Sequence, residues 1–186
     1  MRILVISGSA RRGSLNTRLA QVVADARSED TVTVRNDLDR LTFFTADVEA
    51  AGVPGPVREL RKAVTEADAL VIVTPEYNGT VPGMLANAVD WLSRPPGESV
   101  LRGKRVVVLS ASPSRYGGIR AAEHLSTVLS YIGADVAPVG VSVPRAHQRF
   151  IEGAADRELT IEVARVLEKA LDRQDPRLPE ALALAV

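Results

Sequence analysis

Side chains able to bind an anion crowd one turn near the start of the chain. Ser7, Ser9, Arg11, Arg12, Ser14 and Asn16 bring hydroxyl, guanidinium and amide donors to the stretch G-S-A-R-R-G-S-L-N, residues 8–16. Ile3 to Ile6, before it, is a short apolar run with β-branched character. Leu15, Leu19, Val22, Val23 and Ala26, after it, recur at helical spacing. The period changes from strand to helix across the turn. A helix N-terminus exposes unpaired N–H groups, so donors gathered there suit a dianionic phosphate. Capping of the helix by Ser14 or Asn16 is the plainer reading, but it leaves Ser9 and Arg11 unexplained.

Two common phosphate-binding patterns fail here. Gly8 and Gly13 have the spacing of a nucleoside-triphosphate loop, but Ser14 and Leu15 follow where that loop needs Lys and then Ser or Thr. The dinucleotide fingerprint fails because Ser, Arg and Asn occupy positions where glycines let a pyrophosphate approach the backbone. Asp37, just past the second strand, is the one feature in favour of a dinucleotide. A terminal phosphomonoester, with three oxygens to satisfy, accounts better for several side-chain donors in one turn.

A second stretch, P-E-Y-N-G-T-V-P-G-M-L-A-N-A-V-D-W, spans residues 75–91. Its opening is a turn whose backbone groups are free for a planar heterocycle. Tyr77 is an aromatic neighbour, Asn78 both donates and accepts, and Gly79 permits close approach.

Five strands position these turns. Ile3 to Ile6, Ala69 to Val73 and Val106 to Leu109 are fully apolar, whereas Thr31 to Arg35 alternates and Val136 to Val143 contains Pro138 and Gly140. Five helices alternate with them, the third opening at Pro82 and running to about Ser93. Residues 36–56 read as a long loop with one short helical turn near Asp47 to Ala51. This alternation specifies an α/β fold with a parallel sheet and right-handed crossovers. Apolar strands belong at the centre and weak ones at the edges, which gives a doubly wound, flavodoxin-like order 2-1-3-4-5. Ligands in such sheets bind outside the carboxyl ends of the strands, where residues 7–16, 74–82 and 110–118 meet.

A hydrophobic fraction of 46% suits one domain, expected over residues 1–172, with a Pro-containing tail at 173–186. Twenty-three basic residues balance 23 acidic ones, so net charge gives no pointer to nucleic acid or an anionic membrane. There is no cysteine, which excludes disulfides, thiolate metal sites and thiol catalysis. No apolar run reaches membrane-spanning length, and the expected location is cytoplasmic. Met84, Ala88 and Trp91 form one apolar stripe on the third helix and Leu85, Val89 and Leu92 another. A helix with two stripes either is deeply buried or also faces a partner subunit.

The two motifs at residues 8–16 and 75–91 together resemble the NADPH-dependent FMN reductase family, which includes flavodoxin-like quinone, chromate and azo-dye reductases. The resemblance spans roughly residues 1–172; Ala10 stands where a larger apolar residue is common. It implies bound FMN, hydride supplied by NADPH or NADH, a small-molecule electron acceptor such as a quinone, ping-pong turnover and a homodimer or homotetramer. By position, Ser9, Arg11, Ser14 and Asn16 would hold the FMN phosphate, and Pro75, Glu76, Tyr77, Asn78 and Gly79 the isoalloxazine edge. Ser112, Tyr116, Gly117 and Gly118 would form a second flavin-contacting loop, with backbone N–H groups near the glycine pair facing charge on the reduced ring. No catalytic acid, base or nucleophile is then required, since the flavin carries the chemistry. Arg12, Arg94 and Arg115 are candidates for selecting the 2′-phosphate of NADPH. His124 reads as a structural histidine, and His147 lies nearer the expected site. A flavodoxin-type electron carrier and a non-catalytic nucleotide-binding Rossmann-like module are the alternatives; the carrier is usually strongly acidic, and this chain is neutral.

Overall fold

The computed structural model describes residues 1–151 and 153–171. The expected domain end at 172 and the tail beyond it lie outside the described residues. Strands β1 (Arg2–Ser7), β2 (Thr31–Arg35), β3 (Ala69–Thr74) and β4 (Arg105–Ala111) pair in parallel in the order β2-β1-β3-β4. Two short strands, β5 (Asp135–Val136) and β6 (Val141–Val143), both add in parallel to β4. The sheet therefore has the 2-1-3-4-5 order expected from which strands are wholly apolar.

Alternation along each central strand explains those apolar runs. Ile3, Val5, Val71, Val73, Val107 and Leu109 point to one face, under helices α1 (Leu15–Ala26) and α6 (Arg157–Leu171). Leu4, Ile6, Leu70, Ile72, Val106 and Val108 point to the other, under α3 (Gly55–Glu66), α4 (Gly83–Leu92) and α5 (Ile119–Ile132). Both faces are covered, so both register positions are apolar along the strands until Ser7, Thr74 and Ser110 at their carboxyl ends. A small antiparallel hairpin, β7 (Phe150–Ile151) and β8 (Ala154–Ala155), leads into α6.

Two local expectations are corrected. The fifth strand is not continuous over residues 136–143. After Ala137 donates to the Val106 carbonyl at 2.8 Å, the chain leaves the ladder and rejoins it at Val141. Pro138 has no N–H to pair there. Gly140 passes so close to β4 that a Cβ would stand 2.2 Å from the Val108 carbonyl oxygen. Pro82 is not the first residue of α4 but its N-cap, since its ψ of 142° is extended rather than helical. Of the two readings of the α4 stripes, the deeply buried one holds: Leu85, Ala88, Val89, Trp91 and Leu92 are all covered within the chain.

The loop over residues 36–56 provides that cover. It contains a 3₁₀ turn (Leu38–Arg40) and the short helix α2 (Ala46–Ala51), with Leu38 and Leu41 buried. Trp91 Nε1 donates to the Thr42 carbonyl at 2.7 Å, and Asn87 Nδ2 donates to the same oxygen at 3.2 Å. Asn87 Oδ1 in turn accepts from Phe44 N at 2.8 Å, and the Phe44 and Trp91 rings meet edge to face at 5.0 Å. Arg94 lies over Phe44 and pairs with Glu49 at 3.0 Å.

Gly140→Ala forces β6 away from β4 and is expected to destabilise the protein by about 2–3 kcal/mol. Urea denaturation measures this; an unchanged midpoint would contradict the close approach.

Candidate functional site

Three loops leave the carboxyl ends of β1, β3 and β4 and enclose one cleft, with Ser9, Arg11, Asn16, Tyr77 and Ser112 among its lining residues. Sequence segments about a hundred residues apart are thus brought to one place.

The first loop is braced from inside. Gly8 N donates to the Val73 carbonyl at 2.7 Å, and a Cβ at Gly8 would lie 2.8 Å from Leu85, so only glycine passes here without a shift. Thr17 Oγ1 holds both the Ser7 hydroxyl, at 3.0 Å, and the Ser9 carbonyl, at 3.3 Å. Ser14 is the N-cap of α1, its hydroxyl accepting from Asn16 N and Thr17 N. The capping reading is therefore correct for Ser14, yet the cap uses only the oxygen. Ser9 is in the same state: its hydroxyl accepts from Arg11 N at 3.4 Å. Both hydroxyls are nearly buried and act among the described residues as acceptors only, so each keeps an O–H to donate to an anion. Arg11 is exposed and curls over the loop, its guanidinium 3.5 Å from the Arg12 and Gly13 carbonyls.

Asn16 also braces the site. Its Nδ2 donates to the Ala111 carbonyl and its Oδ1 accepts from the Ala111 N–H, both at 3.0 Å. The amide joins the start of α1 to the end of β4, and this pairing has no local sequence signal.

The second loop begins with a two-residue hairpin turn. Tyr77 and Thr80 exchange N–H···O bonds of 3.1 and 3.0 Å, with Asn78 and Gly79 between them at φ of 54° and 75°. Positive φ at both central positions is why the sequence there is Asn-Gly. Helix α5 grips this loop at two points. Glu76 Oε2 accepts from Arg120 N at 3.1 Å and so caps α5, whose own N-cap, Gly118, has no side chain. Thr80 Oγ1 lies 2.7 Å from His124 Nδ1. Neither Thr17, Thr80 nor Arg120 stood out in the sequence, although Thr17 is one helical turn from Ser14 and Arg120 is four residues from Tyr116.

The third loop is packed against β6. A Cβ on Gly117 would meet the backbone of Ser142 to Pro144 at 2.8–2.9 Å, and one on Gly118 would meet Ser110 Cβ at 3.1 Å. Gly117 is thus required by packing and Gly118 is favoured by its φ of 86°, whatever their N–H groups do. Ser112 N donates to the Val143 carbonyl, and Ser112 O accepts from Ala146 N.

The expected site residues Ser9, Arg11, Ser14, Asn16, Pro75, Glu76, Tyr77 and Ser112 all line the cleft. Asn78, Gly79, Tyr116, Gly117 and Gly118 belong to the same loops outside its narrow part. Asp37 is held by Arg35 through a two-point contact of 2.9 and 2.7 Å, whose hydrogen bonds hold its carboxyl below the usual range. It is engaged rather than offered to a ribose. Arg94 is occupied by Glu49 and Phe44. His147 is exposed in the 3₁₀ turn Ala146–Gln148.

A parallel 2-1-3-4-5 sheet with a cleft at the switch point, lined by the turn after β1 and the loops after β3 and β4, defines a flavodoxin-like protein. The family model for NADPH-dependent FMN reductase matches residues 1–148, and the chain belongs to that family. It is 38% identical over 139 residues to an NAD(P)H-dependent FMN reductase of Pseudomonas aeruginosa, covering 75% of this chain and 74% of that protein. It is likewise 38% identical over 140 residues to a quinone reductase of Escherichia coli, covering 73% of each. Among solved structures it is similar to FerB, a flavoenzyme NAD(P)H:(acceptor) oxidoreductase from Paracoccus denitrificans. That match has a TM-score of 0.77 and 26% identity, covering 91% of this chain and 98% of that one.

The residues present fit FMN: the buried Ser9 and Ser14 hydroxyls keep their donors, and Arg11 has no carboxylate within ion-pair reach among the described residues. Asn16→Leu strips both bonds from Ala111 in a buried setting and is expected to cost about 3 kcal/mol. Equal urea midpoints for the two proteins would show that the amide does not join the loops.

Proposed function

We propose that this chain passes hydride from NADPH, through FMN held in the cleft, to a quinone, a flavin or a similar small acceptor, the two substrates taking turns. The observation that carries this reading is the pair of buried hydroxyls, Ser9 and Ser14, that line the cleft beside Arg11, accept from backbone N–H groups and keep their O–H groups for an anion. The names of relatives support the acceptor class: besides the two above, a protein 37% identical over 132 residues is a 2-hydroxy-1,4-benzoquinone reductase of a Burkholderia species.

In this reading the first loop binds the phosphomonoester through Ser9, Arg11 and Ser14, with Asn16 setting their position through Ala111. The Tyr77 to Thr80 turn, with Pro75 and Glu76, orients the heterocycle edge through its exposed backbone and Asn78. When bound, FMN would supply the redox chemistry by which hydride from the nicotinamide is passed on to the acceptor. The chain's part would be to hold the ring in the cleft within reach of flat reactants. Ser112 and the backbone at Tyr116 to Gly118 flank that ring, as the packing of the third loop against β6 allows.

The protein acts in the cytoplasm as a homodimer or homotetramer. Exposed Tyr77 and Ile119, on the loops around the cleft, support subunit contact there. No helix among the described residues is long and apolar enough to cross a membrane. Sedimentation of a monomer at micromolar concentration would reject the assembly.

The purified protein, supplemented with FMN, is expected to be yellow and to oxidise NADPH rapidly only when a quinone is present. A colourless protein favours the nucleotide-binding module, and bound FMN without turnover favours the electron carrier. Arg11→Ala should weaken FMN binding about tenfold to a hundredfold. Hydride transfer at saturating FMN should change by less than about twofold, since Arg11 contacts the phosphate and not the ring. Unchanged FMN affinity would place the phosphate elsewhere.

A further inference from the structure

Outside the narrow cleft, the third loop carries a cluster of cations that the reading above does not use. The Arg115 guanidinium carbon lies 4.7 Å from the Tyr116 ring centroid, and that of Arg120 lies 5.3 Å from the same centroid. Arg115 also donates to the Tyr116 hydroxyl. Two like charges are therefore gathered around one half-exposed ring. Neither guanidinium has a carboxylate within 4.0 Å among the described residues. Glu76 reaches Arg120, but its carboxylate is aimed at the backbone N–H.

Like charges brought together repel, and attraction to the ring face offsets this by only about 1 kcal/mol each. Such an arrangement suits an anionic partner. The loop is also rigid beneath these side chains. Ser114 Oγ accepts from Tyr116 N, Arg145 N donates to the Ser114 carbonyl at 2.9 Å, and Gly117 is packed on the backbone of Val143 and Pro144. The guanidinia are thus presented on a fixed base, which lowers the entropic cost of gripping a ligand.

We infer that Arg115, Tyr116 and Arg120 form the subsite that recognises the adenosine 2′-phosphate of NADPH and sets its preference over NADH. This rests on the function proposed above. Two forked guanidinia match a phosphomonoester dianion, and their planes, continuing the stack on Tyr116, offer a surface to adenine. The position fits as well. A dinucleotide whose nicotinamide lies on the flavin must lead its adenosine half out of the narrow cleft, whereas a small quinone carries no group to reach this loop. Of the arginines considered for this role in the sequence, Arg94 is engaged with Glu49, and Arg12 is exposed in the first loop without an aromatic neighbour.

The test uses protein saturated with FMN, so that the first phosphate position is filled. Wild-type protein is expected to bind adenosine 2′,5′-bisphosphate about tenfold or more tightly than AMP by calorimetry. In the Arg115→Gln, Arg120→Gln double variant that difference disappears, and the ratio of kcat/KM for NADPH to that for NADH falls about thirtyfold. Lysine at both positions restores part of the ratio, because charge returns without the fork. An unchanged ratio, an equal loss for both nucleotides, or a wild-type protein indifferent to the 2′-phosphate would overturn the assignment. Absence of FMN binding or of nicotinamide oxidation would instead count against the function, while bisphosphate binding needs no turnover and still decides the subsite.

Discussion

One buried carboxamide fixes the width of the cleft. Asn16 sits at the start of α1, and Ala111 ends β4, 95 residues later; two hydrogen bonds of 3.0 Å join them. In a parallel sheet these two elements are separated by β3, so nothing in the strand ladder holds the loops beyond their ends together. The amide does, in a setting shielded from water where such a pair is strong. The other braces act locally: Thr17 steadies the first loop, and Glu76 with the Thr80–His124 contact ties the second to α5. The cleft is shaped before any ligand arrives.

Electrostatics follows the same division. Arg35, Arg94, Arg105 and Arg149 each meet a carboxylate away from the cleft, with Asp37 and Asp156 held below the usual carboxylate range by their guanidinium hydrogen bonds. Arg11, Arg115 and Arg120 meet none among the described residues. A chain of zero net charge can therefore present a local positive field at the loops.

Most of the fold was readable in the sequence because its signals are local. The apolar strands, the helical stripes and the Asn-Gly turn each follow from the dihedrals and burial of neighbouring residues. The flavodoxin-like order came from asking which strands could be covered on both faces. What escaped depends on partners far along the chain. Thr42 and Phe44 cover α4 from more than 40 residues away, and the gap in the last strand arises where Gly140 meets Val108. The brace from Asn16 to Ala111 was missed because that bond leaves no periodic trace. At the site, the loop residues were legible by type, while their division between bracing and binding required the hydrogen bonds.

Gly117 has a consequence for how such a protein diversifies. Its absent side chain lets the third loop lie directly on the backbone between Ser142 and Pro144, so the loop's path is set by main-chain contact. Arg115, Tyr116 and Arg120 project from that path into solvent. Mutation can therefore exchange the outward side chains one at a time while the backbone beneath them stays in register. Selection can redraw what the outer face of the cleft recognises without reopening the question of whether the chain folds.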